Sequence, residues 1–311
     1  MKLAPIGLST YTRIEHLKQT VNALKNCSFA KHSELFIFSD GPKPGDELKV
    51  ERVRTYLESI SGFKKIHIHA REGNNRVYNN RTGQKFLSEN FGKFIFLEDD
   101  IVVSESFLSF MNTALNYFEG NESIFSISGY SPPLNTKKLG KPDVYFLPRF
   151  NAWGFGIWKN RYDKIEYIET TELHQLFQTR KAVQFIKRNI GDDALLMLIL
   201  DAEGKIDALD VKAIYRQVLT HQFTVYPRKS LVQNIGHDGS GLHCTVTDKY
   251  LTDIWKAESF EFCQDLLIDA EIAKANRKFR RLDIKSKAFY LSKKYHIYKY
   301  LKPLKDAINL N

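Results

Sequence analysis

The chain has 311 residues, 43% of them hydrophobic, with only 9 Pro and 17 Gly, a composition that can bury a sizeable core and excludes disordered, collagenous and repeat architectures. Its net charge of +10 would suit nucleic acid, an anionic membrane or an acidic substrate, so the distribution of charge has to decide among them. Cys27, Cys244 and Cys263 lack zinc or redox spacing, and no run of about 18 apolar residues occurs, so the sequence reads as an intracellular protein of a reducing compartment.

Taken in chain order, apolar runs predict strands at 6–9, 35–39, 65–69 and 94–97. Between them Ile14, Leu17, Val21 and Leu24, then more loosely Leu48, Val53, Leu57 and Ile60, recur at helical spacing. Such alternation predicts an α/β fold with a mostly parallel sheet covered by helices. Ligands of these sheets sit beyond the carboxyl ends of the strands. The residues to read there are Ser9, Thr10, Tyr11, Thr12 and Arg13, then Asp40-Gly41, then 71–75, then Glu98-Asp99-Asp100. A helix over 104–118 and a strand over 124–128 follow. Residues 130–142 read as a loop, 150–158 pack aromatics between glycines, and 192–221 are helical. Tyr226-Pro227-Arg228 reads as a turn before the polar, glycine-rich stretch 234–241, and a basic helical region starts near Phe260. Two regions result: an α/β unit over 1–258 and a basic amphipathic helical extension over 259–311. Most of the charge excess lies in the extension, where 274–305 carries Lys or Arg at twelve positions against Asp283 alone.

The sharpest chemical signal is Glu98-Asp99-Asp100, three acids at the end of an apolar run. Burying adjacent carboxylates costs roughly several kcal/mol without a cation. A hard divalent ion, Mn2+ or Mg2+, held by one or two carboxylates and by substrate phosphates meets that need; plain capping of the next helix is the alternative.

The run Ile95-Phe96-Leu97-Glu98-Asp99-Asp100-Ile101, ending a strand about a hundred residues into a nucleotide-binding α/β unit, resembles the acidic motif of GT-A-type glycosyltransferases. It is most similar to the inverting N-acetylglucosaminyltransferase I-like branch and to bacterial family 2-like polysaccharide sugar transferases, over roughly 5–244. The resemblance implies a Rossmann-like mixed sheet that binds a nucleoside-diphosphate sugar, a UDP-sugar above all. Asp100 is then the metal ligand, with Asp99 and Glu98 supporting it. Asp40 falls where the family keeps an acid near uracil, and Arg71 or Arg81 where it keeps a basic residue; an ordinary turn and solvated surface cations are the respective alternatives.

The stretch 230–244 resembles one shared by bacterial polysaccharide transferases. Its glycines permit close approach to phosphate, and His237 or Asp238 could reach a metal or diphosphate oxygen, with a plain surface loop as the alternative. Trp153 and Gly154 are candidates for the acceptor site, where an aromatic face stacks on a sugar, against simple core packing. Inverting transfer needs one more carboxylate to take the acceptor hydroxyl proton. Asp210 is the first choice and Asp207 the second, with Asp192-Asp193 a third; Leu209 stands where related bacterial sequences carry tryptophan before this acid.

The basic, aromatic-rich tail suits an anionic membrane surface, as for an enzyme working on a lipid-linked or other saccharide acceptor in bacterial surface polysaccharide assembly, or it covers the core. That places the protein in the cytoplasm, peripheral at the inner face of the membrane. Basic residues mixed with aromatics also fit a nucleic-acid-binding module, a reading disfavoured because it gives the acidic cluster no role. A nucleotidyltransferase or retaining transferase on the same fold is a third possibility. No P-loop or dinucleotide fingerprint is present.

Overall fold

The computed structural model describes residues 2–136, 140, 142–165, 170–240 and 246–294. Cys244 and the tail after Lys294 lie outside the described residues. The first half of the chain builds β1 (Ile6–Thr10), α1 (Ile14–Lys25), β2 (Glu34–Ser39), α2 (Glu47–Glu58), β3 (Lys65–Ala70), α3 (Arg76–Phe91), β4 (Lys93–Glu98), β5 (Ile101–Val103), α4 (Phe107–Tyr117) and β6 (Ile124–Ser128). After it come β7 (Val144–Leu147), β8 (Phe155–Trp158), α5 (Lys159–Tyr162), α6 (Thr170–Gln178) and α7 (Arg180–Phe185), which runs into a π turn. The described chain continues with α8 (Asp192–Ala202), α9 (Leu209–Thr220), β9 (Phe223–Pro227), β10 (Val232–Asn234), α10 (Ala270–Phe279) and α11 (Ile284–Lys294).

Eight strands form one mixed sheet in the order β3-β2-β1-β4-β8-β6-β9-β7, and β5 pairs with β10 in a small antiparallel ribbon. The β3-β2-β1-β4 half is parallel. Its central strands are apolar on both faces because both faces are covered. Ile6, Leu8, Ile95 and Leu97 join the core under α1, α2 and α4. Phe36, Phe38, Phe94 and Phe96 join the opposite core with residues of α3, α8 and α9. Helix α3 lies close on the sheet because Gly83 and Gly7 leave room: a Cβ on Gly83 would come within 2.7 Å of the Phe38 ring, and one on Gly7 within 2.6 Å of Leu87. Asn75 caps α3 by accepting from Tyr78 N, and Gly92 ends it in the left-handed region at φ +77°.

Strand direction brings later parts of the chain to the carboxyl edge of this half. Because β8 is antiparallel to β4, with Phe96 opposite Phe155, the chain entering β8 at Trp153 and Gly154 stands beside the end of β4. Because β9 is parallel to β6, the helix leading into it, α9, starts at the same edge. In the ribbon, Asn234 opposite Ile101 carries 235–237 past Asp100.

Several sequence expectations change. The helical stretch 192–221 is two helices broken at Gly204, which has φ +67°. Tyr226 and Pro227 belong to β9, with Tyr226 stacked on Tyr145, so the turn comes after them. The basic helices begin at Ala270; before them Phe260 and Phe262 lie in a non-helical segment and pack on Phe110. That segment and α10 rest on the body, with Ile272, Ala273 and Asn276 buried. Among the described residues no helix is long and apolar enough to cross a membrane.

Candidate active site

Strand order reverses between β1 and β4, the place where open α/β sheets bind ligands. Thr10 and Glu98-Asp99-Asp100 end the two strands at that point, with Ser9 in register with Glu98 and buried. Asp99 accepts from Thr10 Oγ1 (3.1 Å), Tyr11 N (3.2 Å) and Arg13 Nη2 (2.7 Å), and Thr20 Oγ1 donates to its carbonyl (2.8 Å). The same Arg13 Nη2 donates to Asp100 Oδ2 (2.8 Å). One guanidinium thus serves two buried carboxylates. Burial works against the Arg13 charge, but Asp99 and Asp100 outweigh it and its pKa moves up. Burial pushes Asp99 up, against Arg13. Glu98 rises to about 7 through burial and the nearby Asp100 charge; Asn80 Nδ2 donates to it at 2.9 Å and Arg76 lies 4.0 Å away.

Arg13 changes the argument made from burial alone, because it supplies part of the positive charge expected from a metal. One oxygen, Asp100 Oδ1, is nevertheless buried with no partner, as are both ring nitrogens of His237. The ribbon brings the backbone just before His237 against Asp100: Ile235 N donates to Asp100 O (2.9 Å), and a Cβ on Gly236 would lie 2.1 Å from Asp100 Oδ2. Only glycine lets the strand pass. The unsatisfied carboxylate and imidazole fit a divalent cation. Among the described residues no three His, Cys, Asp or Glu converge to hold one by themselves. An ion here would draw its remaining ligands from substrate oxygens, as ions held by one or two carboxylates and phosphates do.

The other sequence candidates divide. Asp40 is buried and internally engaged: it accepts from Gly41 N, Asn75 N and Asn74 Nδ2, each at 3.0 Å, tying the loops after β2 and β3 together. Arg71 lies 3.7 Å from Asp40 and 4.4 Å over the Tyr78 ring. Tyr11 donates its hydroxyl to Asp46 (2.8 Å) and accepts from Lys43 N (3.0 Å). Asp238 is exposed and pairs with His16 at 3.1 Å.

A cavity of ≈ 210 Å³ opens beside Glu98 and is lined by Arg76, Asn80, Arg81, Trp153, Asp207 and Asp210 among others. It unites residues more than a hundred positions apart. Trp153 packs edge-on against Tyr130, Tyr250 and His237. Gly154 has φ +65° and its carbonyl accepts from Gly129 N (2.7 Å), so its glycine is needed by the backbone turn. Asp207 is ion-paired to Arg81 and to Lys212 (2.5 Å), and Lys212 in turn holds the buried Asp201 at 3.0 Å. Arg81 and Asp207 are therefore in direct contact where they line the cavity. Asp210 is half-buried in the first turn of α9, held by backbone amides of its own helix start. Burial raises its pKa, with Arg149 pulling the other way. Asp193 is consumed by Arg149 through two 2.9 Å bonds. Arg76, Asn80 and Arg149 carried no motif in the sequence, and only the helix α3 and the strand pairings reveal them.

No protein-family profile matches the chain, and no curated protein matches it. Solved structures with a partial likeness include S. aureus TarS, at 10% identity over 74% of this chain and 36% of that one, with a TM-score of 0.42. A shorter crystallised piece of TarS gives 12% identity, 74% and 60% coverage and a TM-score of 0.44. An active-site mutant of LgtC gives 11% identity, 71% and 72% coverage and a TM-score of 0.37. The chain thus spans about a third of the full TarS chain, 36%. Likeness this slight transfers neither fold family nor activity, and the architecture rests on the strand order itself.

Proposed function

We propose that the protein is a metal-dependent glycosyltransferase of GT-A type, moving a sugar from a nucleoside-diphosphate sugar, UDP-linked by preference, to a saccharide acceptor with inversion. The observation that carries this reading is the meeting, at the strand-order reversal, of an unsatisfied Asp100–His237 pair with a cavity holding Trp153 and Asp210. In this reading the nucleotide lies along the carboxyl ends of β1 and β2, against Ser9, Thr10 and Tyr11. Asp100 and His237 would hold Mn2+ or Mg2+, whose charge supports departure of the diphosphate. Arg13 and Asp99 fix the orientation of Asp100.

Asp210 is the better base of the two acids, since Asp207 already shares one oxygen between Arg81 and Lys212. Asp210 takes the acceptor hydroxyl proton while that oxygen forms a bond to the anomeric carbon. The anomeric carbon–oxygen bond breaks on the opposite side, and its electron pair leaves with the diphosphate. Trp153 offers its face to the acceptor ring. Bacterial surface polysaccharide assembly is the setting we infer. The exposed Lys274, Arg277, Lys278 and Arg281 on and after α10 would face an anionic membrane carrying a lipid-linked acceptor.

The deciding experiment is calorimetric titration with UDP, with and without Mn2+, on the wild type and on Asp100→Ala. Metal-dependent binding that the variant loses is expected, followed by inverted stereochemistry of the product. Failure of UDP to bind under either condition would remove the donor assignment, and binding that needs no metal would remove the cation.

A further inference from the structure

Helix α10 delivers into the body a cation that the fold leaves unmatched. Asn276 Nδ2 donates to the carbonyl oxygens of Asn189 and Ile190 (3.3 and 3.0 Å), fixing the helix, and Arg280 just beyond its end is only 8% exposed. Its entry requires a bare backbone opposite. At Gly191, with φ +133°, a Cβ would lie 2.5 Å from Arg280 Cβ. The guanidinium carbon sits 4.9 Å over the Phe279 ring, yet the side chain makes no hydrogen bond or ion pair among the described residues, and Nε is buried without a partner.

The surroundings do not make up the deficit. The groups whose charge acts on Arg280 are Arg149, Asp193, Tyr226 and Tyr130, and Asp210 also feels the charge of Arg280. Asp193 is already spent on Arg149, which is itself buried, and Tyr226 donates its hydroxyl to the Arg149 carbonyl at 2.5 Å. Lys249 adds a third cation, 5.2 Å from the Phe279 ring. Burial of Arg280 and the nearby Arg149 charge both lower its pKa, but a guanidinium cannot shed its proton to relieve the strain. Its planar donor fork matches a carboxylate or phosphate. The position is also apt. Tyr250 packs on Phe279 (5.8 Å) and on Trp153 (5.3 Å), and Tyr130 on Trp153 (4.7 Å), so a run of packed rings joins Arg280 to Trp153, which lines the cavity.

We propose that Arg280, supported by Arg149, binds an oxyanion, a phosphate or carboxylate carried by the acceptor. That the oxyanion belongs to an acceptor rests on the transferase reading; that the site binds one does not. The protein therefore selects an anionic saccharide over a neutral one.

The test compares inorganic phosphate and acetate with chloride at matched ionic strength, reading thermal stability of the whole protein. Wild type is expected to be stabilised by phosphate, by acetate or by both, and the stronger of the two names the anion. Arg280→Gln should weaken that anion's apparent affinity at least tenfold, Arg280→Lys should keep part of it, and the exposed neighbour change Arg281→Gln should leave it intact. Absence of anion-specific stabilisation in wild type overturns the proposal, whether or not Arg280→Gln folds. So does equal stabilisation of wild type and Arg280→Gln. UDP titration of the same proteins separates the two readings: if UDP fails in all of them while the phosphate or acetate difference holds, the transferase reading falls and the oxyanion site stands.

Discussion

The two sides of the β1/β4 junction treat their acids differently. On the strand-end side, Asp40 and Asp99 are saturated by neighbours and Arg13 bridges Asp99 to Asp100, so this region is a cradle pre-set by its own hydrogen bonds. On the cavity side, Asp207 is saturated but Asp210 has its own helix start and, at a distance, the guanidiniums of Arg149 and Arg280. Fixed dipoles suit binding and orientation, whereas a proton acceptor must keep an open face. On the proposed function, the contrast gives binding to one side and chemistry to the other.

The strongest way to break that division is Asp210→Asn. It should lower kcat by roughly 10²- to 10⁴-fold, the range for a lost general base, with UDP binding unchanged. Asp207→Asn should cost less in rate and more in stability, since it removes a carboxylate shared by Lys212 and Arg81. Equal rate losses in the two variants would erase the distinction between the acids. Gly236→Ala attacks the cradle instead. Its Cβ would fall 2.1 Å from Asp100 Oδ2 and 2.9 Å from Arg13 Nη1, so Mn2+-dependent UDP affinity should drop tenfold or more by calorimetry, an order-of-magnitude expectation for a displaced ligand. Unchanged affinity would mean that Asp100 is not the ligand.

Asp40→Ala sharpens the claim that this acid braces loops. Removing its carboxylate leaves Asn75 N and Asn74 Nδ2 short of an acceptor, a loss of about 1–3 kcal/mol in stability by denaturant titration. A change in UDP affinity with no loss of stability would return Asp40 to the nucleotide.

The same contrast governs what could be read without coordinates. In the β3-β2-β1-β4 half the candidate site residues end their strand or follow it by one or two positions, and continuous apolar runs such as 94–97 announce the strands, so Thr10, Asp99 and Asp100 are legible as candidates. The cavity is not local. Asp210 and Trp153 meet Glu98 only because β8 runs antiparallel and α9 starts at the carboxyl edge, facts held in pairing and not in spacing. The strands β5, β7 and β10, of three or four residues, are too short to show a period. The buried pair Lys212–Asp201 and the buried Arg149 with its half-buried partner Asp193 look like surface charge in the sequence. In the sequence Arg280 is one of the basic residues of the extension, and only its burial separates it from Arg281.

The smallest expected effect is also the one that tests the cradle without a substrate. Glu98 titrates at about 7 in the folded protein, pushed up first by burial and then by Asp100, against an ordinary carboxylate near about 4.3 in the unfolded chain. The folded state therefore holds this proton more tightly. Stability from this group is full below about pH 4.3, declines as pH rises through 7, and is flat above. Its side chain keeps 37% of its surface in solvent, so screening makes the decline shallow. Melting temperature measured from pH 5 to 8 without divalent cations should fall more steeply for wild type than for Glu98→Gln. Added Mn2+ should reverse the wild-type slope, because a bound cation favours the ionised cluster. Parallel curves for the two proteins would show that Glu98 feels neither burial nor its neighbours, and the charge balance drawn for the cradle would have to rest on Arg13 alone.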